Sequence, residues 1–343
     1  MKSPYVNELT PDTDVSAVFL VEYKEVRQKR SGEPYLVLTL SDKTGDLEAK
    51  MWDNAASVAD AFDRDDFVRV RGQVQIFQNK PQFTVHRLQR IPDHEIEIGD
   101  FLPSSKRDSQ EMFAELHGVV SGLSNPYLKA LLAAFFADGE IAKAYRTAPA
   151  AKTIHHAYIG GLIEHVLSMC KLARATAAHY EDIDLDLLLA GVILHDIGKI
   201  RELSYERTFG YSTEGQLLGH IQIAMRMIAE KIRAVPGFPP KLRLLLEHMI
   251  LSHHGSLEFG SPRVPLFPEA MLLHQLDNLD AKMNTLKTAV EGCSKVDGEW
   301  TGYVSSLERA LLKKQKFLEE PRPAVVEPPS SAFAEALEKA VRE

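Results

Sequence analysis

Residues 187–199 read LLLAGVILHDIGK, and an unbroken apolar run from Leu187 to Leu194 that ends on His195 and Asp196 leaves few folds open. Such a run buries whichever element carries it, and it delivers a carboxylate into the interior. An unpartnered buried charge costs several kcal/mol or shifts its pKa until it is neutral, so a cation is expected beside Asp196. Imidazole and carboxylate together suit divalent first-row metals. Taken alone, the pair is equally satisfied by an ordinary core hydrogen bond between His195 and Asp196.

The other histidines decide between these readings. His165 lies in GGLIEHV, His220 in LLGHI, His253 and His254 in LSHHG, and Asp277 in HQLDNLD, each among Leu, Ile, Val, Met or Ala. Histidines placed by chance favour loops and surfaces, whereas these recur in apolar, helix-patterned stretches. Helices cannot join such distant positions by local spacing, so a shared site has to form by tertiary packing, with side chains projecting inward from facing helices. The order His, His-Asp, His, His-His, Asp, with Gly198-Lys199 just after the pair, resembles the HD-domain superfamily of metal-dependent phosphohydrolases over about half of the chain. That resemblance implies one metal set of His165, His195, Asp196 and Asp277 and a second of His220, His253 and His254 that shares Asp196. The second set, much of which mononuclear members lack, favours two divalent ions; the family resemblance given below implies Mn²⁺ foremost, with Fe²⁺, Co²⁺ or Mg²⁺ as alternatives.

Lys199 is placed to neutralise a phosphate oxygen as charge builds, or to satisfy the last carbonyls of a helix. His155 and His156, in TIHHAYIGGLIEH, are candidates for a substrate contact or a general acid at the leaving oxygen; capping or surface exposure explains them as well. His248 and His274 read as residues supporting the ligands or as structural. FGYSTEGQLLG at 209–219 reads as a mobile lip over the site or as a plain connection.

Ahead of this region the period is that of strands. Leu36, Leu38 and Leu40 alternate with Tyr35, Val37 and Thr39, and 47–52 repeats the alternation after a turn at 42–45. Strands at 15–23, 67–77 and 82–88 and a short helix at 55–62 complete the order of a five-stranded OB barrel, whose face on strands two and three binds oligonucleotides. With Leu36, Leu38, Leu47, Ala49 and Met51 inside, Tyr35, Thr39, Lys50 and Trp52 point outward. An aromatic pair beside a lysine suits base stacking, worth ~1–3 kcal/mol per base. Lys24, Arg27, Lys29 and Arg30 are expected in the loop between strands one and two, where they can follow a phosphate backbone. The alternative is that Trp52 covers the barrel end and the loop is merely solvated, since Glu22, Glu25 and Glu48 dilute the patch.

Residues 91–109 lose the alternation and gain prolines, as a linker or extended crossover does. From Gln110 the period is helical, with Asn125-Pro126 as a helix start, and it continues through 308–318 with no convincing strand. The expected organisation is an OB domain at 1–90, a linker at 91–109, an all-α HD domain at 110–320, and a proline-rich tail with a short helix at 321–343. The chain has 343 residues, a net charge of −8 and 45% hydrophobic residues, which fits a soluble globular protein and excludes a generally basic nucleic-acid coat. Cys170 and Cys293 cannot make a disulfide framework and point to a reducing compartment, the cytoplasm. No run approaches the ~18 apolar residues of a membrane span, and the N-terminus lacks a signal-peptide core.

An OB domain ahead of HHAYIGGLIEH, ILHDIGK, LSHHG and DNLDAKM resembles the YhaM-like 3′-to-5′ exoribonuclease family over nearly the whole chain. The resemblance implies hydrolysis of single-stranded RNA, or of single-stranded DNA in its place, to nucleoside 5′-monophosphates, and allows a homo-oligomer. Two other readings of the residues are a phosphohydrolase acting on a nucleotide or cyclic dinucleotide with a regulatory barrel, and a non-catalytic RNA-binding or signalling protein.

Overall fold

The computed structural model describes residues 3–77, 80–153, 155–205, 207–293 and 298–319. The tail expected over 321–343 lies outside the described residues. The chain divides into two compact units, Met1–Thr285 and Leu286–Glu343. Among the described residues no helix is long and apolar enough to cross a membrane.

The first unit begins with a closed barrel of strand order β1-β2-β3-β5-β4, formed by β1 (Asp14–Gln28), β2 (Pro34–Asp42), β3 (Gly45–Met51), β4 (Phe67–Phe77) and β5 (Lys80–Ile91). The short helix α1 (Ala55–Val58) sits between β3 and β4. Strict alternation fills the interior: Leu36, Leu38, Leu40, Leu47, Ala49 and Met51 are at most 2% exposed and pack with Phe19, Val68, Val70 and Phe83. This is the expected OB barrel, with one difference in detail. Strand β1 continues to Gln28, so Lys24 and Arg27, expected in a loop, lie on a strand paired with Leu38 and Tyr35. Only Lys29 and Arg30 are in the turn.

Segment 91–109 is an ordered crossover. Ile91 and Phe101 pack with Leu20 and Phe67 in a small satellite core, and Ser104 bridges to Ile159. Arg207 ties the barrel to the helices: its guanidinium stands 3.0 Å from Asp66 Oδ1 and also pairs with Asp93.

The helical part contains α2 (Ser109–Ser121), α3 (Pro126–Phe136), α4 (Gly139–Thr147), α5 (Gly161–Ala177), α6 (Leu185–Leu194), α7 (Lys199–Glu202), α8 (Thr213–Arg233), α9 (Pro240–Ser252) and α10 (Pro268–Gly292). Their starts follow capping chemistry. Asp108, Asn125 and Asp138 each accept from two backbone N–H groups of the following turn, a cap worth about 1 kcal/mol. Helix α6 is apolar on every side, with Leu187 to Leu194 all buried, as befits the central rod of a helical domain. Among the described residues the only strand pair of this domain is a two-residue ribbon, β6 (Leu203–Ser204) with β7 (Gly210–Tyr211), which lies in the stretch expected to be strand-free and anchors the 209–219 segment at its start.

In the second unit the helix expected through 308–318 shrinks to α11 (Lys314–Leu318). It is preceded by bridges Trp300–Leu312 and Val304–Arg309.

Candidate metal centre and nucleic-acid interface

Helix α6 ends where its apolar run ends. His195 caps it in helical conformation, its N–H bonding to Gly191 O, and the chain turns through Asp196 and Gly198 into α7. A Cβ at Gly198 would fall 2.0 Å from His220 O, so glycine is what allows this turn to lie against α8. Helix α8 itself kinks at Gly219, whose φ of 70° and ψ of 156° are non-helical, and the kink carries His220 N–H onto Glu202 Oε1 at 2.9 Å.

Five histidines share one device. His195 Nδ1 donates to Val192 O at 2.8 Å and His253 Nδ1 to Ile250 O at 2.7 Å, each a turn back along its own helix. His254 Nδ1 donates to Phe259 O at 2.9 Å, His220 Nδ1 to Glu202 Oε1 at 3.1 Å, and His165 Nδ1 to Asp280 Oδ2 at 2.8 Å. Each tie orients its ring and leaves Nε2 as the outward donor atom.

Those donor atoms converge. One atom each from His165, His195 and Asp277 lies within 4.8 Å of the others, and the same holds for His220, His253 and His254. Asp196 stands between the triads: Oδ2 is 3.2 Å from His195 Nε2, while Oδ1 is 3.6 Å from His220 Nε2 and 3.9 Å from His253 Nε2. Four of the Nε2 atoms, those of His165, His195, His220 and His253, are buried without a hydrogen-bond partner, as is Asp196 Oδ1. Buried polar atoms are nearly always satisfied, so five orphans facing one another fit a site built for cations. The composition, imidazole with carboxylate, is that of divalent-metal ligands.

Protonation is consistent with this. Burial works against charge on Asp196 and Asp277, yet His195 and Lys199 hold the first, and His165 and His195 the second, well below the usual carboxylate range. Burial and the neighbouring imidazoles push His253 and His254 down, keeping both neutral. Burial would also depress His165, but Asp277 and Asp280 override it and hold it up at about 9. A divalent ion bound at His165 Nε2 would take that proton's place and answer the same two carboxylates, since a ligating imidazole is neutral.

Lys199 Nζ lies 2.7 Å from Asp196 Oδ2, and its side chain is 12% exposed. His156 is 5% exposed and both ring nitrogens are engaged, Nδ1 with Tyr158 OH at 2.9 Å and Nε2 with Asp280 Oδ2 at 3.0 Å. His155 is half-buried, its ring 6.0 Å from that of His165; burial and Lys199 lower its pKa to about 4. His274 Nδ1 donates to His253 O at 2.8 Å, and His248 Nε2 accepts from Leu266 N at 3.2 Å. The sequence reading missed Asp280 and Glu202. Asp280 follows Asp277 by three residues and so shares its helix face, a signal present in DNLD; nothing local announces Glu202.

On the barrel, Tyr35 and Trp52 stack on each other, centroids 4.6 Å apart at 18°, with Lys50 Nζ 5.7 Å from the Trp52 ring. The basic residues nearby are largely spoken for. Lys24 Nζ bonds to Ala59 O at 2.6 Å, to Phe62 O, and to Asp63 at 3.1 Å, which leaves its side chain 13% exposed. Arg27 pairs with Glu25 at 2.7 Å, and Lys29 with Glu33 and Asp53 at 3.3 and 3.4 Å. Arg30 is exposed.

Comparison with known proteins agrees with both halves. Residues 162–282 match the HD domain and residues 23–91 the OB-fold nucleic acid binding domain. The 3′-5′ exoribonuclease YhaM of Bacillus subtilis (strain 168) is 37% identical over 288 residues, 84% of this chain and 90% of its own length. The YhaM of Geobacillus sp. (strain WCH70) is 36% identical over 288 residues, covering 84% of this chain and 87% of that protein. That of Halalkalibacterium halodurans is 32% identical over 312 residues, 90% and 95% of the two chains. With a five-stranded OB barrel, a helical HD domain and identity at this level along most of its length, the chain belongs to the YhaM family of 3′-5′ exoribonucleases.

Proposed function

We propose that this chain is a metal-dependent 3′-to-5′ exoribonuclease that releases nucleoside 5′-monophosphates from single-stranded RNA, with single-stranded DNA as a second substrate class. The observation that carries the reading is the set of five buried, unpartnered donor atoms on His165, His195, Asp196, His220 and His253. His165, His195 and Asp277 hold one divalent ion, His220, His253 and His254 a second, and Asp196 serves both; Mn²⁺ is the first choice. Bound there, a pair of divalent ions supplies Lewis acidity and brings the pKa of water to about 7.

The chain's own residues do the rest. The fixed Nδ1 contacts of the histidines keep the ligand atoms aimed without reorganisation during the reaction, the economy on which electrostatic preorganisation depends. Lys199 places a buried ammonium beside Asp196, where it meets charge building on a non-bridging phosphate oxygen. His156, with both nitrogens engaged, fits a positioning role behind Asp280 and His165 better than that of a proton donor. His155, the more exposed of the two, is the better placed to meet substrate. The stacked Tyr35 and Trp52 with Lys50 offer bases a platform on the barrel, which keeps the strand near the site between cuts.

Metal-stripped protein resupplied with Mn²⁺ and given 5′-labelled single-stranded RNA, beside Asp196→Asn, tests the proposal. A ladder that shortens from the 3′ end, absent in the variant, is expected. Intact RNA in a sample that hydrolyses a nucleotide or cyclic dinucleotide would overturn it.

A further inference from the structure

Of the four basic residues expected in the barrel's loop, Lys24, Arg27 and Lys29 each carry a carboxylate partner, while Arg30 is exposed. A denser cluster of arginines lies elsewhere, on the outer face of β4 and β5. Arg71 stands directly across the ladder from Arg87, and on its other side from Ser16; Arg69 faces Gln89 and Val18. Arg69, Arg71 and Arg87 are all exposed. Among the described residues they make no salt bridge or side-chain hydrogen bond. Like charges directly opposite on a sheet repel, and neighbouring β1 supplies no acid at these registers to relieve them. In a chain of net charge −8 such an exposed cluster of one sign is a place where an external anion gains most.

The face is also concave. The three arginines and His86 surround a recess of about 470 Å³ whose lining contains no carboxylate and whose floor includes Met51 and Leu88. A second recess of about 370 Å³ holds Trp52 and Lys29. The two share Asn54, a residue at φ 58° in the turn from β3 into α1. The recess with Trp52, which Glu33 and Asp53 also line, thus adjoins the arginine recess at Asn54.

We propose that the Arg69, Arg71 and Arg87 face is a second nucleic-acid site, which binds the phosphodiester backbone of single-stranded RNA whose bases occupy the Tyr35 and Trp52 platform. This rests on the exoribonuclease reading and extends it: the stack contributes base contact with one lysine beside it, and the arginine face contributes most of the charge. Affinity then depends on substrate length, because a short RNA cannot reach both surfaces.

The test uses full-length protein in EDTA and 5′-fluorescein oligoadenylates of 6 and 20 nucleotides, with anisotropy read across a salt series. For Arg71→Gln/Arg87→Gln, affinity for the 20-mer should fall about tenfold at ~50 mM salt, and the slope of log affinity against log salt should shrink by about 1.4, from ~0.7 per lost phosphate contact on a single strand. Arg71→Lys/Arg87→Lys, which keeps point charges for phosphate, should bind near wild type. With Mn²⁺ restored, the Gln pair should lose a smaller share of its hydrolysis rate on the hexamer than on the 20-mer. Unchanged affinity and slope for the Gln pair, in a wild type that shortens RNA, would overturn the arginine face alone and turn attention to an acidic protein partner. Equal loss on hexamer and 20-mer would overturn it too. A wild type that neither binds nor shortens RNA would overturn both this site and the exoribonuclease reading.

Discussion

Asp280 shows how much of the centre depends on a residue that is itself no ligand. Its Oδ2 accepts from His165 Nδ1 and from His156 Nε2, and its Oδ1 accepts from Ser168 Oγ. Carboxylates of this kind fix the tautomer of a metal-binding histidine, and their loss typically costs ~10–100-fold in metal affinity. Asp280→Asn is therefore expected to weaken Mn²⁺ binding by that factor in a calorimetric titration; an unchanged affinity would remove Asp280 from the centre. Lys199→Gln should behave in the opposite manner. Metal content should stay at the wild-type level while kcat falls about 10²–10³-fold, the range for loss of one charge-stabilising group. The residues that converge were legible in the sequence, because several histidines and aspartates recurring inside apolar helical runs are better explained by one shared site than by separate core hydrogen bonds. Their supports were not: Val192 O and Ile250 O are backbone atoms, and Glu202 is indistinguishable in sequence from any surface glutamate.

Elements carry two further expectations. The turn at Gly198 brings α7 against α8 so closely that a Cβ would meet His220 O at 2.0 Å and Ala224 N at 2.9 Å. Both are backbone atoms and cannot rotate away. Gly198→Ala should destabilise the fold by about 1–3 kcal/mol, read as a lower Tm, and should displace His220 from its triad. At the junction of barrel and helices, burial disfavours a charged Asp66, but the Asp63 N–H and the guanidiniums of Arg90 and Arg207 outweigh it and hold its pKa down. A folded-state pKa below the unfolded value of ~3.9 contributes stability above that value and loses it as pH falls through the folded one. Arg207→Ala should thus lower Tm at pH 7, and the gap from wild type should close under more acidic conditions. A gap independent of pH would assign Arg207 a packing role alone. The barrel's alternation was legible residue by residue, since Leu36, Leu38, Leu47, Ala49 and Met51 all turn inward. The fate of Lys24 was hidden, because its partners Ala59, Phe62 and Asp63 are separated from it by two strands and a helix.

At the scale of the whole molecule, an OB barrel and an HD helical domain sit in one compact unit, Met1–Thr285, held by Arg207 and by the packed 91–109 crossover. One chain thus joins a barrel that matches the OB-fold nucleic acid binding domain to a helical domain whose histidines and aspartates converge as a divalent ion's ligands would. The net charge of −8 looked unfavourable for RNA binding, yet carboxylates offset Lys24, Arg27 and Lys29 in the basic loop, while among the described residues Arg69, Arg71 and Arg87 make no salt bridge. The central claim is that the seven converging residues hold divalent metal and that Asp196 serves both halves of the set. Counting metal tests it most directly. Protein dialysed against Mn²⁺ and analysed by mass spectrometry of the metal should hold two ions per chain, and Asp196→Asn, of the same shape and still folded by circular dichroism, should hold fewer than one. A wild type that retains no ion, or an Asp196→Asn protein that retains two, would contradict it.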